Sequence, residues 1–164
     1  IMRREDETRE NALDTALAAL LRQDAALDER REETAILACN ETLALHGLAL
    51  TREEAAMLAT ARTESLRKSG RVEFGGGITQ RLVQAFADSP FLTRENLAST
   101  LAELTEIFYA FKNETMDALT DGELLQFMRE AFDGACGGST ELLCGRELPC
   151  LARQIRQEGD NGAI

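Results

Sequence analysis

Tryptophan is absent from this chain, histidine and tyrosine occur once each, and proline only twice in 164 residues. The single histidine rules out the paired-histidine and Cys2His2 zinc patterns, which need several such ligands. So few prolines leave long stretches free to be helical, and abundant Ala, Leu, Glu and Arg favour that outcome. No apolar run reaches the roughly 20 residues needed to span a bilayer, so a membrane partner is not expected. No basic–apolar–small pattern opens the chain either, so export is not expected and a cytoplasmic location is. Basic charge is also scarce. Eighteen Lys and Arg face 29 Asp and Glu, a formal net charge of −11. The densest basic runs, Arg3-Arg4 and Arg30-Arg31, each lead straight into acidic residues. Such a surface repels phosphate backbones, so nucleic acid is not an expected partner.

What is present describes a core. Apolar residues make up 44% of the chain, enough for one globular domain of this length. The first helix is expected over about 5–22, with Leu13, Leu17, Leu20 and Leu21 forming an apolar stripe. Asp24 falls on that stripe, so a break is expected near 23–28, one long bent helix being the alternative. A second helix, about 29–46, places Ile36, Cys39 and Leu43 on one face and ends at Gly47. Thr51 and Glu54 form a capping box that opens a third helix, about 52–69, carrying Ala55, Leu58 and Leu66 inward. A fourth covers about 78–88, with Leu82, Val83 and Phe86, and stops before Pro90. The fifth has the clearest pattern. Thr93 is its expected cap, and Leu97, Leu101, Leu104, Ile107, Phe108 and Phe111 make it the expected centre of the core. Thr120 and Glu123 form a second capping box before Leu124, Met128 and Phe132. A short helix near 140–144 and a last one near 149–158, with Pro149 at its first position, complete the expectation. The result is a single all-α domain over 1–158, an irregular bundle of about six to eight helices, with 159–164 as a frayed tail.

The segment GRVEFGGGITQR, residues 70–81, carries three consecutive glycines between two helices. Gly70 and Gly75 have P-loop spacing, but Gly76 and Gly77 stand where lysine and serine or threonine are required. The dinucleotide fingerprint fails too, because Gln80 occupies the place of its third glycine. A weaker anion site remains. It would use the backbone N–H groups of Gly75, Gly76, Gly77 and Ile78 at a helix start, assisted by Arg71 or Arg81. The competing reading is a turn, with Gly70 closing a helix and Val72 and Phe74 plugging the core.

Residues 105–132, TEIFYAFKNETMDALTDGELLQFMREAF, look like a degenerate EF-hand in outline. With Lys112 as loop position 1, positions 3, 5 and 6 hold Glu114, Met116 and Asp117. Calcium needs oxygen ligands at 1, 3 and 5 and glycine at 6, so no metal is expected there. The four cysteines, Cys39, Cys136, Cys144 and Cys150, lack paired zinc spacing and are expected to be reduced thiols. All four are expected to be buried or incidental; Cys136, among small residues, is a candidate for exposure, and redox chemistry at Cys136 or Cys144 is a third option. Cys39 and His46 are about 10 Å apart along a helix axis, too far for a local thiolate–imidazole pair. His46 better suits a helix C-terminus. No cofactor and no catalytic spacing is read.

The segments CNETLALHGLALT, GRVEFGGGI, DSPF, IFYAFKNET and TDGELLQFM together resemble a family of small, mainly clostridial proteins of unknown function, over most of residues 33–145. That resemblance implies a bacterial cytosolic setting and transfers no catalytic residue. The expected function is non-catalytic binding of another protein or self-association. The alternative is a small-anion or nucleotide-phosphate binding protein built on the Gly75–Gly77 loop.

Overall fold

The computed structural model describes residues 2–73 and 77–162; for residues 2–7, 25 and 160–162 it describes the backbone alone. Phe74, Gly75 and Gly76 lie outside the described residues, and with them the expectation that Phe74 plugs the core. Helices run in the order α1 (Met2–Ala38), α2 (Asn40–Ala44), α3 (Arg52–Ser69), α4 (Ile78–Phe86), α5 (Leu97–Glu114), α6 (Asp121–Asp133), α7 (Thr140–Leu142) and α8 (Leu148–Gly162). A π turn, Leu143–Glu147, joins α7 to α8. Among the described residues there is no strand, and the all-α bundle is the observed architecture.

The core forms around α5. Its stripe residues Leu97, Leu101, Leu104, Ile107, Phe108 and Phe111 are all buried, as are Ala98, Thr105 and Tyr109 on adjoining faces. A helix covered on several sides occupies the centre of a bundle. α3 packs mainly against α5 on one side and the C-terminal half of α1 on the other, while α4 bridges α6, α5 and α1. Phe132 of α6 meets Phe86 of α4 edge to face, with ring centroids 5.5 Å apart.

The local signals explain most boundaries. Both capping boxes form: the Thr51 side chain accepts from the Glu54 N–H at 3.1 Å, and the Glu54 carboxylate accepts from the Thr51 N–H at 2.9 Å. Thr120 and Glu123 repeat the exchange at 3.1 Å in both directions. Gly70 closes α3 in the left-handed conformation, φ 64°, with Arg71 N–H donating to Leu66 C=O at 2.9 Å.

Five expectations need correction. The break near 23–28 does not occur; α1 is continuous to Ala38. Asp24 faces solvent together with the leucines beside it, so nothing there obliges the helix to stop. The interruption falls instead at Cys39, where the backbone tightens to an Ile36–Cys39 bond, and the Asn40 side chain clamps the Leu50 backbone through two hydrogen bonds. Thr93 does not cap α5. It exchanges hydrogen bonds with Asn96 inside a preceding turn, and α5 starts at Leu97. Val72 is 77% exposed and plugs nothing. Pro149, finally, does not start the last helix. It is the second residue of α8, and the π turn before it joins Leu148 N–H to Leu143 C=O. The helical trace then continues past the expected end at 158, to Gly162.

Candidate functional site

Of the residues singled out for an anion site, both arginines are directed to the α5–α6 side. Arg71 donates to both carboxylate oxygens of Asp117, at 2.8 and 2.9 Å, and to Asn113 Oδ1. Arg81 lies against α6, its guanidinium beside Gly122. Gly77 is left-handed (φ 99°) at the start of α4, and Ile78 is buried. Gly75 and Gly76 lie outside the described residues.

In the helix–loop–helix of α5 and α6, side-chain cations sit among the loop carboxylates. Lys112 pairs with Asp121 and lies 3.8 Å from Asp117. Arg71 and Lys112 together hold the Asp117 carboxyl below its ordinary range, Arg71 contributing most. Met116 and Asp117 both take positive φ, 53° and 57°, a conformation that L-residues adopt rarely.

A cavity of about 290 Å³ opens beside this loop, lined by Arg71, Glu73, Phe108, Tyr109, Lys112 and Asp121 among others. Its floor belongs to a buried polar cluster that the sequence reading missed. Arg62 of α3 is 1% exposed. Its guanidinium donates to Asp28 at 2.9 Å and to Glu73 at 3.3 Å, and lies 3.7 Å from Glu32. Tyr109 donates its hydroxyl to the other oxygen of Glu73 at 2.5 Å, and Gln80 donates to Glu32 at 3.2 Å. Three carboxylates therefore surround one cation. Burial pushes the Glu32 carboxyl up, outweighing Arg62, and burial followed by Glu73 pushes the Tyr109 phenol up. Among the described residues, each charged side chain lining the cavity is already paired within the chain.

A signal for this cluster was available. The buried face of α3 reads Ala55, Leu58, Ala59, Arg62 and Ser65, which places an arginine on an apolar stripe. The buried run Ile36, Cys39 and Leu43, extended one turn back, reaches Glu32. A charge at a core register is the trace of a buried ion pair.

The cluster also fixes how α1 is mounted. Asp28 and Glu32 tie it to α3, and Ile36 buries beside them. Before Asp28, the described residues of α1 from position 8 are exposed on every side, save the half-buried Ala19. Leu13, Leu17, Leu20, Leu21 and Leu27 are 49–70% exposed, five large apolar side chains on one helix. Over 27–38 a shallow groove runs along α1, lined by Leu27, Arg30, Arg31, Thr34, Ala35 and Ala38. Two residues rotate a helix by about 200°, so Thr34 and Ala38 point away from Ile36.

Two of the four cysteines are buried. Cys136 is one, packed where α6 turns toward α7, and burial with the nearby Glu147 pushes its thiol up. Cys39 is buried and raised likewise, while Cys144 and Cys150 are exposed. Among the described residues no group of three His, Cys, Asp or Glu side chains is placed to hold a metal ion, and no helix is long and apolar enough to cross a membrane.

Comparison with known proteins places the chain in a family. No curated protein and no solved structure matches it. Residues 35–161 match a family of unknown function, DUF6323, and that span excludes most of α1. Since the match covers well over half of the chain, from the end of α1 through α8, this protein belongs to the DUF6323 family.

Proposed function

We propose that this protein is a non-catalytic interaction module of the bacterial cytoplasm, and that the outer face of α1 is its binding surface. One observation carries the reading: Leu13, Leu17, Leu20, Leu21 and Leu27 stand exposed along one helix that is tied to the fold farther on, at Asp28, Glu32 and Ile36. Scattered single leucines on a surface are ordinary, but a continuous row on one face is the pattern of a helix awaiting a partner. Removing that row from water is worth about 25 cal/mol per Å² of apolar area, the driving force a partner helix would recover. The charged groups at the central cavity, by contrast, are consumed by one another, which gives catalysis no poised group there.

The glycine-loop alternative draws less support. Arg71 is committed to Asp117 and Asn113, and Arg81 stands at α6, so neither cation assists the start of α4.

The test is capture from a lysate of the native host, comparing the intact chain with a Leu13→Glu/Leu17→Glu/Leu20→Glu variant of unchanged helical content. A protein retained by the first and lost by the second supports the reading. Identical capture by both, or capture of nothing, contradicts it.

A further inference from the structure

Among the exposed positions of α1, one set advances in alternating steps of four and three residues: Leu13, Leu17, Leu20, Asp24, Leu27, then Arg31, Thr34 and Ala38. Steps of four and three define the a/d seam of a coiled coil, and all these positions are exposed. The monomer does not require this spacing, because its own contact with α1 uses Glu32 and Ile36 on another face.

We infer that the occupant of this seam is a second copy of the chain, its α1 running antiparallel to the first; this rests on the reading of α1 as the interaction surface. A single antiparallel register matches every seam position to another one. Leu13 meets Ala38 of the second copy, Leu17 meets Thr34, Leu20 meets Arg31, and Asp24 meets Leu27. The overlap is about 38 Å long.

Charge selects this arrangement. Asp24 and Arg31 are the two charged residues in the seam. In the antiparallel register each Asp24 lies one layer, about 5 Å along the axis, from Arg31 of the other copy, and symmetry makes two such pairs. A parallel pairing would stack Asp24 on Asp24 and Arg31 on Arg31, burying like charges that cost stability. The flanks agree: Gln23 comes beside Arg30 of the other copy and Leu21 beside Asp28, so no like charges meet there.

Sedimentation equilibrium of the pure, full chain tests the inference. The expected result is a dimer. Leu17→Glu/Leu20→Glu is expected to yield monomers, and Asp24→Arg or Arg31→Asp alone to weaken the dimer about tenfold or more, equivalent to about 1.4 kcal/mol. The Asp24→Arg/Arg31→Asp double variant restores it, since the exchanged charges still pair between copies. Direction is read by disulfide trapping in a Cys144→Ser/Cys150→Ser background. Leu17→Cys mixed with Thr34→Cys cross-links, whereas Leu17→Cys alone does not. A monomer at all micromolar concentrations, a higher oligomer, a double variant no better than the singles, or a Leu17→Cys self-cross-link overturns the inference. A monomeric chain that still loses a captured foreign protein on stripe substitution sinks the second copy and leaves the interaction reading standing; failure of both sinks both.

Discussion

Tyr109 of α5 donates its hydroxyl to Glu73 at 2.5 Å, joining the central helix to the segment after α3. The other Glu73 oxygen accepts from Arg62, so the phenol forms the inner end of a chain that reaches α1 through Asp28 and Glu32. A neutral phenol suits this position, because ionisation would set a second negative charge against Glu73.

Since the chain holds one tyrosine and no tryptophan, ultraviolet absorbance follows this group without interference. Burial first, then Glu73, raises the Tyr109 pKa above its ordinary value of 10.0. A raised folded-state pKa contributes stability that is complete below the unfolded value and lost as pH rises through the folded one. Phenolate should therefore appear only together with unfolding, as circular dichroism records it. A reversible titration near pH 10.0 with the helices intact would show the Tyr109–Glu73 bond to be absent.

Arg62→Ala should be the most damaging single substitution in the cluster. It strands Glu32 and Glu73 in the interior without a cation, a loss of about 3–5 kcal/mol. Arg62→Lys should recover only part, because one ammonium cannot serve carboxylates spread around a planar guanidinium. Asp28→Asn, at a half-exposed partner, should cost under about 1 kcal/mol. Urea midpoints rank the three; an Arg62→Ala loss no larger than that of Asp28→Asn refutes the clamp.

Glu32 acts in the opposite direction to a simple salt bridge. Its carboxyl is raised, by burial first, so its contribution is present below the unfolded carboxylate value and is lost as pH rises through the folded one. The buried Gln80 Oε1 has no donor among the described residues. Glu32→Gln should accordingly be neutral to stabilising at pH 7, and should flatten the decline in stability between mildly acidic and neutral pH. A clear loss at pH 7 in urea unfolding would mean that the ionised form is the stabilising one.

Gly138 takes φ 84°, and a Cβ there would come within 2.5 Å of the Phe91 ring. Phe91 in turn stacks edge to face on Phe132, 6.1 Å between centroids. Gly138→Ala combines backbone strain with a displaced aromatic pair, whereas Gly137→Ala, at φ 57° with open space, carries only strain of about 1 kcal/mol. Thermal melts should place Gly138→Ala well below Gly137→Ala; equal midpoints would mean the ring moves aside freely.

Much of the fold was legible because its signals are local. A capping box spans four residues, so Thr51 with Glu54 and Thr120 with Glu123 marked two helix starts correctly. The α5 stripe reads as core because six large apolar residues leave no other face to choose. Periodicity shows that a stripe exists, however, and not what covers it. Leu13, Leu17 and Leu20 read as core and stand in solvent. Arg62 and Glu32 were not singled out and are buried, since their pairing joins residues far apart in sequence. Val72 was misplaced for the same reason: exposure depends on how helices pack, which alternation does not encode.

The most direct measurement of the central claim is amide hydrogen exchange over residues 8–27, followed as the protein is diluted. This half of α1 has no cover of its own, and an uncovered helix is only marginally stable in water. The account predicts strong protection at high concentration that fades on dilution, while α5 stays protected throughout. Protection over 8–27 that is the same at every concentration would contradict it.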